Sequence, residues 1–336
     1  MHEASYYEKL DNGKVRCYLC PHECIISEGK SGVCRIRKVS QGRLLNDTYQ
    51  RLSAVSADPV EKKPLYHFFP GEPILSIGSI GCNMSCQHCQ NEEISQCLDI
   101  TADRLRTYTI EEIQDQLNEG GYQMLAFTYN EPLVNYEFYY DTAVYLEQHG
   151  IERVVVSNGY VSREPLQDLL PFVDAFNIDL KGFSDDFYRK VTRSTLQPVL
   201  NTIEAIIESG RHLEITYLVI PGLNDNEIEF REMIRYLKTL AGADQVLHLS
   251  RYFPHYKMNR PPTSVDTINR LLEIAKEELN YVYPGNMGAG TDANTFCPKC
   301  GSLLIERHAY NTRIAGMDGN RCSECNTTIH GKFRTT

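Results

Sequence analysis

Cys82, Cys86 and Cys89 constrain this chain more than any other feature; they stand in the run Gly81-Cys82-Asn83-Met84-Ser85-Cys86-Gln87-His88-Cys89-Gln90-Asn91. A cubane iron–sulfur cluster has four iron corners, normally all held by thiolates. A C-x3-C-x2-C loop supplies three, which leaves one iron with a free position for a small molecule. The competing reading is a structural zinc loop. Zinc in structural sites takes four closed ligands, commonly from paired C-x2-C knuckles. No fourth cysteine stands at a matching distance from this trio, although His88 offers a nitrogen. The spacing and the strand-like run before it favour the cluster.

The chain has twelve cysteines, and all but Cys97 fall into groups with metal-ligand spacing. The segment Met1-His2-Glu3-Ala4-Ser5 has neither the basic start nor the apolar core of a signal peptide. In a reducing compartment such groups bind metal rather than oxidise. No apolar run approaches the length of a membrane span, so a cytoplasmic protein is expected. A net charge of −10 argues against a sequence-independent nucleic-acid binder, which needs a positive surface to displace counterions. Cys97 is expected to be a buried small hydrophobe.

Three segments separate by pattern. Residues 1–70 are cysteine-rich and irregular, with a hairpin expected at Gly42-Arg43-Leu44-Leu45 and a polar connector at Glu61-Lys62-Lys63-Pro64. Residues 285–336 are again short and cysteine-bearing. Residues 71–284 alternate between strand-like and helix-like stretches. The strand candidates are Ile74–Ile80, Met124–Tyr129, Arg153–Ser157, Ala175–Leu180, Leu213–Ile220 and Gln245–Ser250, each ending near Gly, Asn, Asp or Pro. Thr109 before Glu111 and Glu112 marks one helix start. Asn224-Asp225-Asn226-Glu227 marks another, with apolar positions at Ile228, Phe230, Ile234 and Leu237. A last helix around Val265–Glu278 precedes a short run at Tyr281–Tyr283. Six βα units in succession predict an α/β fold with parallel strands and right-handed crossovers. No Gly-rich dinucleotide fingerprint follows a strand, and polar residues gather after strand C-termini. A partial (β/α)6 TIM-like barrel is therefore expected over a doubly wound sheet.

The cysteine loop directly after the first strand resembles that of the radical S-adenosylmethionine (radical SAM) enzymes. The resemblance implies a [4Fe-4S] cluster whose open iron chelates the methionine end of SAM, and reductive cleavage to a 5′-deoxyadenosyl radical. It also implies roles at the following strand ends. Thr128-Tyr129-Asn130-Glu131-Pro132 stands where the family has a Gly-Gly-Glu-Pro-like stretch that receives the SAM amino group, which assigns Glu131 to cofactor binding. Tyr129 and Asn130 replace the glycines, and a surface acid in a turn is the alternative. Val156-Ser157-Asn158-Gly159-Tyr160 resembles the Thr-Asn-Gly stretch of glycyl-radical-enzyme activases, whose preceding acid is here Val156. Ser157 and Asn158 are candidates for the SAM ribose or methionyl group, against an ordinary Asn-Gly turn. Asp179-Leu180-Lys181 puts an anion and a cation on one face of a strand end, suited to ribose hydroxyls and the SAM carboxylate; similar activases carry the same triplet. A structural ion pair is the alternative. His248 and Arg251, with His255 beyond, are candidates for contact with adenosine or substrate, against packing roles.

Two further cysteine groups flank the central segment. Cys297-x2-Cys300 and Cys322-x2-Cys325 form paired knuckles, followed by Gly301 and Asn326, where positive φ lets amides reach the sulfurs. This is a zinc-ribbon pattern, with rubredoxin-like iron as the other occupant. The ribbon is a candidate staple of the tail onto the barrel mouth. Cys17-x2-Cys20-x3-Cys24-x9-Cys34 brings four thiolates into one short stretch. Its spacing departs from paired knuckles, so zinc and a second iron–sulfur cluster both stand.

Across nearly the whole chain, Arg16-Cys17-Tyr18-Leu19-Cys20-Pro21-His22, Pro59 to His67, Cys89-Gln90-Asn91 and the terminal knuckles together resemble the AmmeMemoRadiSam system radical SAM enzymes. More distantly the central segment is similar to pyruvate formate-lyase activating enzymes. The first resemblance implies linkage to Memo-like and AMMECR-like partner proteins. Cluster potentials span roughly −700 to +450 mV, and SAM cleavage needs the low end. A flavodoxin or ferredoxin is therefore an expected electron donor. The expected activity is hydrogen abstraction from an unidentified substrate. A glycyl-radical activase and a non-catalytic metal-binding or electron-transfer scaffold are the alternatives.

Overall fold

The computed structural model describes residues 2–96, 105–287 and 293–334. Its central sheet has eight strands: β1 (Ala54–Pro59), β2 (Pro73–Gly78), β3 (Met124–Phe127), β4 (Glu152–Ser157), β5 (Ala175–Asp179), β6 (His212–Val219), β7 (Val246–Arg251) and β8 (Tyr281–Gly285). They lie side by side in chain order. β2 through β8 pair parallel, and β1 pairs antiparallel with β2. The monotonic order has none of the reversal that marks a doubly wound sheet.

Two strands join the six expected from the sequence. Tyr281–Gly285 completes the sheet beside β7, although too short a run to be read as a strand by alternation alone. Ala54–Pro59 comes from the first segment, half-exposed and in register with the whole of β2. The inner strands are buried and largely apolar, every residue of β3 being buried, with polar exceptions such as Asn177 and Glu214.

The longest helix described in each crossover is α1 (Ile110–Gly120), α2 (Tyr136–Glu147), α3 (Arg163–Leu169), α4 (Gln197–Glu208), α5 (Glu227–Ala241) and α6 (Val265–Lys276). The β2–β3 and β5–β6 crossovers carry shorter helices as well, at Glu92–Ser95 in the first and at Asp185–Phe187 and Tyr188–Thr192 in the second. α1 starts on a reciprocal capping box between Thr109 and Glu112. Asn226 caps α5 by accepting from the Ile228 and Glu229 amides. Phe230, Ile234 and Leu237 face the core as the spacing predicts, but Ile228 is 72% exposed. It lies in the first turn, on the solvent side of the cap, and Met233 is buried on the core face instead.

The N-terminal segment folds as two small antiparallel sheets. The expected hairpin is present as Arg37–Ser40 paired with Arg43–Asn46. Buried Arg37 pairs with Glu137 of α2, and Asn46 donates to Asn135 and Glu137. The polar connector is a buried charged turn. Lys63 donates to Asp58 at 2.8 Å beneath the Tyr129 ring, and Glu61 accepts from Gly71 and Thr312.

The C-terminal segment pairs Thr295–Phe296, Leu303–His308 and Asn311–Ile314. It packs on Val246 and Tyr281, the first residues of β7 and β8, together with Tyr283. It is therefore stapled near the strand N-termini, not at the barrel mouth that the sequence suggested. His67 bridges the joint, bonding the His330 carbonyl and the Tyr283 hydroxyl at 2.6 Å each. No helix among the described residues is long and apolar enough to cross a membrane.

Candidate functional site

A cavity of about 380 Å³ opens at the C-terminal ends of the parallel strands. Residues following β2, β3, β4, β5 and β8 line it, together with Thr216 and Leu218 of β6 and Ser250 of β7. A flat sheet could not bring its first and last parallel strands to one space, so the sheet must curl around it.

The cysteine loop leaves β2 through Gly81, held at φ +89°. A Cβ there would lie 2.8 Å from the Cys34 carbonyl oxygen and from Ile36 Cγ2, so only glycine lets the loop pass. Cys82, Cys86 and Cys89 all line the cavity. The Met84 amide donates to Cys82 Sγ at 3.3 Å, and Asn158 Nδ2 approaches the same sulfur at 3.6 Å. Burial pushes all three thiols up, Cys86 to about 12 despite the opposing charge of Lys181. Thiols so buried ionise when a cation meets them, as iron would. They do not close on a point: among the described residues the trio is not drawn within 4.8 Å, the spread that would suit a single ion. Three thiols facing one cavity without converging fit a cubane and fit a four-coordinate zinc poorly.

Glu131 follows β3 and is buried at the cavity wall. It accepts the Ser157 hydroxyl at 2.8 Å, the Asn158 amide at 2.8 Å and the Leu133 amide at 3.0 Å. Burial raises its carboxyl to about 7 against the pull of those donors. Asn158 also donates to Asn83 Oδ1 at 3.0 Å, which ties β4 to the cysteine loop. Asp179, the last residue of β5, and Lys181 just beyond it form an ion pair at 3.0 Å. Burial works against the Lys181 charge, but Asp179 and Cys86 outweigh it and hold the ammonium protonated.

The structure gathers Glu131, Ser157, Asn158, Asp179 and Lys181 with the trio in one cavity, and leaves His248 and Arg251 outside its lining. His248 Nε2 bonds Glu214 at 2.6 Å in a fully buried cluster, and Arg251 donates to the Thr263 carbonyl at 2.8 Å. Ser250, between them, is the residue of β7 that lines the cavity: it shares its face of the strand with His248 but stands nearer the strand's C-terminal end, and Arg251 alternates to the opposite face. His255 bonds Glu92 at 2.5 Å outside the lining. Lys62, Lys63, Thr216 and Asn286 line the cavity without having been singled out in the sequence. Only the run of charges around Lys62 hinted at them. His88 also lines it, with Nδ1 buried and unpartnered, and burial lowers its ring to about 3.

Among the described residues, Cys297, Cys300, Cys322 and Cys325 form the one group of three or more possible ligands within 4.8 Å. Cys297 lies 3.5 Å from Cys325 and Cys300 lies 3.6 Å from Cys322, sulfur to sulfur. Cys17, Cys20, Cys24 and Cys34 share a second, smaller cavity. Cys97 lies outside the described residues.

Residues 76–235 match the family described as Radical SAM superfamily. An uncharacterised protein of Methanocaldococcus jannaschii is 42% identical over 98% of this chain and 99% of its own length. The 4-hydroxyphenylacetate decarboxylase activating enzyme of Clostridium scatologenes is 26% identical, over 44% of this chain and 48% of that enzyme. The pyruvate formate-lyase-activating enzyme of Clostridium pasteurianum is 22% identical, over 49% of this chain and 70% of that enzyme. In fold, the chain is similar to Streptococcus suis SuiB bound to S-adenosylmethionine, with TM-score 0.51 and 12% identity over 66% of this chain and 51% of that one. With the thiol trio and the strand-end carboxylates and lysine around one cavity, these matches make the chain a member of the radical SAM superfamily.

Proposed function

We propose that this chain cleaves S-adenosylmethionine reductively and abstracts a hydrogen atom from a substrate still to be identified, within an AmmeMemoRadiSam system. One observation carries the reading: three non-converging thiols, a buried carboxylate and an Asp–Lys pair share a single cavity at the strand C-termini. Cys82, Cys86 and Cys89 would hold a [4Fe-4S] cluster, which when bound supplies the electron that cleaves SAM. Lys181 offers its ammonium to a carboxylate, and Asp179 accepts from hydroxyls. Glu131 has its oxygens engaged by Ser157, Asn158 and Leu133. Its role is to hold the ends of β3 and β4 in register around the cofactor. A flavodoxin or ferredoxin would supply electrons, and Memo-like and AMMECR-like proteins are the proposed partners.

Activation of a glycyl radical enzyme is the second reading, favoured by the similarity to activating enzymes. A neighbouring enzyme that gains a backbone radical signal on incubation would select it.

The test is anaerobic reconstitution with SAM and dithionite, following 5′-deoxyadenosine. Wild type should yield it, and Cys86→Ala should abolish it while keeping the C-terminal metal. Full-rate cleavage by Cys86→Ala overturns the ligand assignment. No cleavage by the reconstituted wild type leaves the scaffold reading.

A further inference from the structure

The proposed reaction leaves the four N-terminal cysteines without a part. Cys17, Cys20, Cys24 and Cys34 line one cavity, walled by Leu19, Ile26 and Val134 and flanked by Arg37. The chain carries its own reference for a single-ion site. At the C-terminal quartet, sulfurs stand 3.5 and 3.6 Å apart, close to the edge of a tetrahedron whose metal–sulfur bonds are about 2.3 Å. The N-terminal quartet does not close to that spacing: among the described residues no three of its sulfurs lie within 4.8 Å of one another. Four thiols directed into one shared space wider than an ion meet the requirement of a cubane, whose irons and sulfides hold the thiolates apart.

The surroundings suit a buried, anionic group. Cys17 and Cys34 are buried, and the cavity wall is mostly apolar. Arg37, 1% exposed, places Nη1 3.9 Å from Cys17 Sγ while pairing with Glu137. The quartet also backs onto the trio. The Cys34 carbonyl is what a Cβ at Gly81 would strike, and His22 bonds the Asn83 carbonyl at 2.7 Å.

We propose that Cys17, Cys20, Cys24 and Cys34 hold a second [4Fe-4S] cluster rather than zinc. Every iron of this cluster is capped by cysteine, so it offers SAM no open position. Its chemistry is uptake of one electron from a reduced flavodoxin- or ferredoxin-type carrier, which is oxidised by one electron, with no atom transferred.

The inference does not rest on the trio's proposed chemistry, and one experiment separates the two. The full chain is reconstituted anaerobically with iron and sulfide, then assayed for iron, acid-labile sulfide and zinc. Wild type should hold about eight irons, and a Cys82→Ala, Cys86→Ala, Cys89→Ala variant about four irons and four sulfides. Dithionite should convert the latter to a paramagnetic state, and adding Cys20→Ala and Cys24→Ala should remove the iron but not the C-terminal zinc. About four irons in wild type that vanish with the trio would overturn the inference. So would an iron-free trio variant that binds two zincs. Equal iron, about four, in wild type and trio variant would sustain it while removing the trio's cluster. The wild-type count reads the site even if the fivefold variant fails to fold.

Discussion

Glu131 accepts the Ser157 hydroxyl at 2.8 Å, a bond that joins the loop after β3 to the last residue of β4. The Asn158 amide reaches the other oxygen of the same carboxylate at 2.8 Å. Glu131→Gln turns one of these acceptors into a donor facing a donor. At a pH well above about 7, where the Glu131 carboxyl is ionised, hydrogen bonds to it contribute about 1.5–3 kcal/mol. The variant should lose stability on that order in urea unfolding and bind SAM more weakly. Ser157→Ala, which leaves Oε1 its bond from Leu133, should cost about 1 kcal/mol. Equal stability of Glu131→Gln and wild type would show the carboxylate to be dispensable as a strand-end clasp.

Lys181 is a cation of the cavity lining, and its charge acts on Cys86. Lys181→Met removes the proposed partner of a SAM carboxylate and leaves Asp179 without its ion pair. SAM affinity should fall at least tenfold, about 1.4 kcal/mol, by anaerobic titration. Iron content should stay unchanged. Unaltered affinity would make the Asp179–Lys181 pair structural.

His67 sets a pH dependence. Burial drives its ring down to about 3, against the attraction of Glu214. The unfolded chain therefore binds a proton near pH 6.5 that the folded chain refuses until about 3. His67 adds stability that is full above about pH 6.5 and is lost as pH falls towards 3, by up to about 1.4 kcal/mol per pH unit. His67→Gln should flatten that part of the slope between pH 7.5 and about 5 in urea unfolding, relative to wild type. Parallel slopes would refute the assignment.

Chelation of a metal held by the C-terminal cysteines should separate stability from chemistry. The four cysteines fold a segment docked on Val246 and Tyr281, away from the cavity. A structural site of this kind supplies folding energy outright. A zinc chelator, or Cys322→Ser, should lower the urea midpoint while leaving deoxyadenosine formed per trio cluster unchanged. Loss of cleavage at constant iron content would place the ribbon in the active site instead.

The sequence alone determined what is local. The trio's spacing, the Thr109 cap, the paired C-terminal knuckles and the six apolar runs all express rules that act within a few residues. Those runs appear within about two residues of their expected limits, because buried parallel strands need continuous apolar stretches. Tertiary structure decided which side chains share a space. His248 and Ser250 stand two apart on β7, yet one meets Glu214 and the other lines the cavity. The polar run around Lys63 became a buried partner of Asp58. The end of the sheet that receives the ribbon depends on contacts between segments far apart in the chain, such as His67 with His330, and the N-terminal cysteines are seated by contacts such as Arg37 with Glu137. Spacing along a chain restricts which atoms can meet, but only packing between distant elements fixes how far apart they finally stand.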